Sequence, residues 1–110
     1  MNLVRSFLHA RAHPGQRAAL VHAFKEHRIL DQCAEAVPGC LEGQLLLSVT
    51  DPEALCVTVL WASQADHEAW MTSPVRVVQS QALGAYVAES LPPVLMRIAL
   101  NWQPETRKMS

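Results

Sequence analysis

Cys56-Val57-Thr58-Val59-Leu60-Trp61-Ala62-Ser63 is a β-branched run that closes on a tryptophan and a serine. Gln64-Ala65-Asp66-His67-Glu68-Ala69-Trp70 follows, then Met71-Thr72-Ser73-Pro74-Val75-Arg76-Val77-Val78. β-Branched side chains favour a strand, so the first segment should be one. Ser63 with Asp66 three residues later reads as a capping box with Asp in place of the usual Glu. A short helix should therefore start at Gln64 and carry Trp70 two turns from its cap. Ser73 before Pro74 is a second N-cap, because proline at the first helical position loses no hydrogen bond.

Working outward, Leu3 to Ala12 alternates and should be a strand, with Leu3, Arg5, Phe7, His9 and Arg11 on one face. Val4, Ser6, Leu8 and Ala10 take the other face. Pro14 suits the first turn of a helix whose stripe is Leu20, Val21 and Phe24, ending near Arg28. A second helix is expected over 29–37. Pro38-Gly39 turns the chain into a strand over 40–49, and Asp51-Pro52-Glu53 joins it to a strand over 55–61. The helix after Ser73 is expected to carry Val75, Val78, Ala82 and Tyr86 inward and to stop at Pro92-Pro93. Alternation then predicts a last strand over 94–102. Residues 1–103 read as one domain and 104–110 as a polar, frayed tail.

The order is strand, helix pair, two strands, helix pair, strand. That is an α+β, ferredoxin-like βαββαβ plan with split helical crossovers and an antiparallel four-stranded sheet. Right-handed crossovers should put every helix on one face. Yet both faces carry apolar residues: Leu3 and Phe7 against Val4 and Leu8, and Val57, Val59 and Trp61 against Cys56 and Leu60. One helix layer covers one face, so a second chain is the expected cover for the other.

Composition narrows the function classes. Half of the 110 residues are apolar and 17% are charged, which argues against a disordered chain. A net charge of −1 provides no footprint for nucleic acid. No apolar run approaches the roughly 20 residues that span a bilayer. The expectation is a cytoplasmic protein with no membrane partner. Cys33, Cys40 and Cys56 have no Cys-x-x-Cys spacing and read as reduced, small apolar residues. His22 and His27 stand off a common helix face, so no metal site is expected. No glycine-rich phosphate loop or Ser-His-Asp spacing is present.

The element order, the Pro38-Gly39-Cys40 turn and the Trp61, Ser63, Trp70, Ser73-Pro74 pattern resemble the antibiotic biosynthesis monooxygenase family over about residues 4–100. The resemblance implies a dimeric α+β barrel, here a homodimer, and a small oxidoreductase acting on an apolar aromatic or polyketide-like molecule. Trp70 matches the haem-degrading branch. That branch also uses an asparagine on the first strand and a haem-ligating histidine after Ser73, positions that hold Leu8 and Ser80 here. Neither replacement can serve, since leucine forms no hydrogen bond and serine is a poor iron ligand. The cofactor-independent branch is matched at Trp61, but its asparagine on that strand is Val57 here. The reading is therefore a pocket without bound cofactor. His67 is the candidate base, because imidazole titrates near neutrality. Trp61 and Trp70 are candidate stacking walls, Arg76 an anchor for a substrate anion, and Ser80 and Tyr86 further polar contacts. The same residues fit a non-catalytic dimer that binds a small apolar ligand.

Two apolar sheet faces and one helix layer predict a dimer. Static light scattering at micromolar concentration should return twice the mass of one chain. A stable monomer would defeat the expectation.

Overall fold

The computed structural model describes residues 2–105. Its elements are β1 (Val4–Ala12), α1 (Arg17–Glu26), α2 (Ile29–Ala36), β2 (Cys40–Leu47), β3 (Ala54–Trp61), α3 (Gln64–Met71), α4 (Pro74–Leu83), β4 (Val87–Ser90) and β5 (Val94–Arg97). The sheet runs β2-β3-β1-β4, with β5 also on β1, and every pairing is antiparallel. This is the α+β, ferredoxin-like arrangement, with each crossover split into two helices.

The fourth sheet position differs from the expected single strand. β4 pairs with β1 at Ala10–Ala12 and β5 pairs with it at Val4–Phe7, so two short strands share one edge. Between them lies Leu91-Pro92-Pro93. Two prolines have no N–H to give the ladder, so the edge breaks there. The Leu91 N–H still donates to the His9 carbonyl at 2.9 Å, which holds the two pieces on one line.

The same region corrects the helix expected to reach Pro92. α4 stops at Leu83, with Gly84 as its C-cap, and Tyr86 lies beyond it. The backbone of Tyr86 instead joins the sheet end: its carbonyl accepts from the His13 N–H at 3.0 Å. The chain gains ladder bonds to β1 that a longer helix would forgo. Pro14 is corrected too. It lies in a turn with Gly15, whose φ of +76° cannot continue a helix, and α1 starts only at Arg17. β2 ends at Leu47 and β5 at Arg97, both shorter than the alternation suggested. Of the expected polar tail, 106–110 lies outside the described residues.

Two clusters join the helices to the sheet. Val4, Cys33, Val37, Val59 and Trp61 form one; Ala12, Leu20 and Leu55 form the other. The β1 and β3 members sit at alternate positions, on the face that the helices cover. The opposite face presents Phe7, Leu46, Val94 and Met96, the last 56% exposed. Charges are interspersed there: Arg5 donates to Thr58 Oγ1 at 3.2 Å and pairs with Glu42 at 2.6 Å.

The Pro38-Gly39 turn is tied to the start of α3. The Asp66 N–H donates to Ser63 Oγ at 3.2 Å, and Ser63 Oγ–H donates to Asp66 Oδ2 at 2.8 Å. The Gly39 carbonyl accepts from the Ala62 N–H at 2.8 Å, and a Cβ on Gly39 would overlap the Asp66 carboxylate. Gly39→Ala should therefore destabilise by about 1–3 kcal/mol through overpacking, and Ser63→Ala by about 1 kcal/mol through loss of the cap. Urea midpoints would measure both. A Gly39→Ala protein as stable as the parent would show that the turn and cap are not coupled.

Candidate functional site

α3 and α4 are both started by serine caps, which set their phase against the sheet. In α4 the Val75 N–H donates to Ser73 Oγ at 3.2 Å and Pro74 occupies the first turn. That phase turns Arg76, Gln79, Ser80 and Leu83 toward the sheet and α2, at spacings of three, four and seven. It leaves Val77 and Val78 outside, 52% and 63% exposed. The inward stripe expected over Val75, Val78, Ala82 and Tyr86 is thus rotated from the real one. The real stripe includes polar residues because it faces a cavity and a neighbouring helix, not a filled core.

The cavity lies between α4, the α1–α2 corner and the sheet. Leu8 and Val57, directly paired across β1 and β3, form its floor with Val59. Trp70 and Arg76 stand on its wall, and its volume is ≈ 120 Å³. A second lobe of ≈ 350 Å³ continues past Ser80 and Leu83 toward β4, over Leu20 and Leu55. The two lobes share Leu8, Phe24, Val57, Ser80 and Leu83. Ser80 stands where they meet and is exposed.

Gln79 is the functional-site residue that sequence reasoning missed. It is 6% exposed, and its amide Nε2 donates to the Ile29 carbonyl at 3.0 Å and to Gln32 Oε1 at 3.2 Å. These bonds hold α4 against α2 on one side of the cavity. The signal was its offset of three from Arg76, which only a correctly phased helix makes visible.

The structure brings Trp70, Arg76 and Ser80 to one cavity. It places Trp61, His67 and Tyr86 outside the lining of both lobes. Trp61 is 1% exposed, and its indole N–H donates to Ser6 Oγ at 3.0 Å. His67 meets the Trp61 ring edge-on, with centroids 5.5 Å apart and planes at 72°. Tyr86 packs against the Ala12–Leu20–Leu55 cluster.

Electrostatics single out two groups. Among the described residues Arg76 makes no ion pair, as Arg17, Lys25 and Arg97 also do not, whereas Arg5, Arg11 and Arg28 are paired. It is also the one charged residue lining the smaller lobe. His67 is pushed below the ordinary imidazole range, chiefly by burial and secondarily by the charge of Arg76, while Glu68 opposes the shift. It therefore stays neutral at neutral pH. Burial raises the Cys33 thiol on the cavity wall, which keeps it protonated. Among the described residues no cluster of three His, Cys, Asp or Glu could hold a metal ion, and no helix is long and apolar enough to cross a membrane.

With this geometry in view, comparison with known proteins gives the family. The family model for antibiotic biosynthesis monooxygenase matches residues 5–76. The chain belongs to that family. No curated protein matches it significantly. Among solved structures, SnoaB from Streptomyces nogalater, a cofactor-independent oxygenase, superposes with a TM-score of 0.74 at 17% identity, covering 94% of this chain and 99% of that one. A protein of Chloroflexus aurantiacus J-10-fl, described as a candidate antibiotic biosynthesis monooxygenase, has a TM-score of 0.69 at 24% identity, covering 92% and 97%. Another so described, from Caulobacter crescentus CB15, has 0.69 at 22% identity, covering 92% of each chain. At these identities the likeness to solved structures speaks for the fold of this antibiotic biosynthesis monooxygenase family member.

The shift of His67 has a measurable consequence. Between the ordinary imidazole pKa of about 6.5 and its lower folded value, the unfolded chain binds a proton that the folded chain refuses. Stability should fall as pH drops through that window and level off below the folded value. His67→Phe should flatten the change in urea midpoint between about pH 7 and about pH 5. An unchanged slope would mean that His67 titrates freely.

Proposed function

We propose that this chain is an oxidoreductase that oxygenates an apolar aromatic or polyketide-like small molecule in the cavity under α4, without a bound cofactor. One observation carries the reading: a half-buried guanidinium, Arg76, without an ion pair among the described residues, on the wall of a mostly apolar cavity. A cation in such surroundings favours an anionic guest. The guest would be a phenolate or enolate whose charge delocalises onto a ring carbon. Its negative oxygen would sit at Arg76, with Trp70 stacked on its ring and Ser80 beside it.

The chemistry balances without an outside reductant. A ring methylene flanked by aromatic rings loses a proton, and the resulting carbanion transfers electrons to O₂ and bonds to one oxygen atom. Loss of water from the hydroperoxide leaves a carbonyl, so one oxygen atom enters the product and the other leaves as water. The protein would supply orientation, exclusion of water and charge stabilisation. Among the described residues no carboxylate or imidazole lines the smaller lobe, and Glu89 lines only the larger one, so Arg76 would act by making the substrate more acidic. His67, neutral beside Trp61, lies outside the lining of both lobes, so as the proposed proton acceptor it would act only through intervening solvent. On this reading the assembly is a homodimer closed over the apolar sheet face that holds Leu46, Val94 and Met96.

The lack of a carboxylate or imidazole on that wall also favours a second reading, a protein that binds the anion and does not oxidise it. Anthrone separates the two. Oxygen uptake that scales with protein supports the oxygenase; binding without uptake supports the carrier. For either, Arg76→Gln should weaken anion binding about 10- to 100-fold, the equivalent of roughly 1.5–3 kcal/mol for a hydrogen bond to a charged group. Calorimetric titration gives the affinity. An Arg76→Gln protein that binds as tightly as the parent would refute the anion site.

A further inference from the structure

Three voids meet at one side chain. Phe24 lines the ≈ 120 Å³ lobe beside Arg76, the ≈ 350 Å³ lobe toward β4 and a third space of ≈ 400 Å³. The third space is a groove on the other side of the α1–α2 corner, floored by Leu45 and Leu47 of β2 and edged by Lys25 and Arg28. Phe24 lies near the end of α1, before the break at which Arg28 takes a left-handed φ of 51°. That break separates α1 from α2 and leaves the corner open.

A core side chain is held because atoms press on it from all sides. Phe24 packs against the Ala12–Leu20–Leu55 cluster on one side and borders empty space on others, so less packing energy opposes a change of rotamer than in a filled core. The size of the lobes makes such a change consequential. A cavity of about 150 Å³ takes one benzene ring, and the smaller lobe is below that size. Ordinary small-molecule sites occupy about 300–1,000 Å³. The larger inner lobe reaches that range alone, but Arg76 lines only the smaller one, so a guest of that size that also meets Arg76 needs both lobes as one space.

We propose that Phe24 is the size-selecting partition of the site. With its ring inward, the space beside Arg76 admits at most a single aromatic ring. With its ring turned into the outer groove, the two inner lobes join and admit two or three fused rings, their anionic oxygen still at Arg76. This rests on the anion-binding reading of the cavity. Phe24 is a specificity-determining residue here, with no part in electron or proton transfer.

The test titrates phenol, 2-naphthol and 2-hydroxyanthracene into the parent protein, Phe24→Trp, Phe24→Leu and Arg76→Gln, by calorimetry above the phenol pKa. Circular dichroism and thermal melting check that each variant is folded, and Phe24→Leu keeps most of the apolar volume of the site. Phe24→Trp should weaken the three-ring ligand by at least about tenfold, within the range by which apolar pockets discriminate size, and leave phenol nearly unchanged. Phe24→Leu should strengthen the three-ring ligand relative to phenol. Arg76→Gln should weaken all three alike. If Phe24 variants shift every ligand by the same factor while Arg76→Gln still weakens them, the partition is wrong and the anion site stands. If the parent binds none of the three, or Arg76→Gln changes nothing, the anion site fails and the partition fails with it.

Discussion

A tryptophan buried to 1% exposure must give its indole N–H a partner, and Ser6 supplies it. That bond joins β3 to β1, whose register sets Val4 against Trp61 and Ser6 against Val59. A slip by one residue would turn every side chain of a strand to the other face. Trp61 therefore fixes which residues meet the helices. Leu8 and Val57 become a cavity floor, while Phe7 and Cys56 go to the open face.

Trp61 also ends β3 just where the helical layer begins. Ser63 and Asp66 cap α3 against Gly39, and one turn later His67 packs its ring on Trp61. Trp70 follows on the same helix and meets the cavity. Two short helices replace one long one in each crossover, and their junctions cannot close over the sheet without gaps. Gln79 bridges one junction by hydrogen bonds, and Phe24 borders the gap that remains. The cavity is thus a product of split crossovers, with Arg76 on the wall of its smaller lobe and Glu89 on that of the larger.

The site shows where polar residues have different purposes in similar surroundings. Gln79 is buried and both recorded bonds of its amide hold helices together. Arg76 borders the same space and, among the described residues, forms no ion pair. His67 is buried as a neutral ring, because desolvation outweighs the nearby carboxylate of Glu68. A buried group already satisfied by its neighbours supports structure, and one left unsatisfied beside a void is free to receive a ligand.

Local chemistry by itself determined the α+β order, the two serine caps and the helix pairs, because β-branched runs, Ser-x-x-Asp and Ser-Pro act within a few residues. The sequence offered Trp61, His67, Trp70, Arg76, Ser80 and Tyr86 as site candidates, of which Trp70, Arg76 and Ser80 line the cavity. Tertiary structure decided what depends on contacts distant in sequence. The stop of α4 at Leu83 came from the competing ladder on β1, and the broken edge at Pro92-Pro93 from the same strand. The inward face of α4 was misread because the stripe was sought among valines, whereas Arg76, Gln79 and Ser80 face a void and α2. Trp61 and Trp70 look alike in sequence, yet one is filled core and the other cavity wall. Aromatic content states how much area a side chain can bury; only the packing of distant segments decides whether anything is left unfilled beside it.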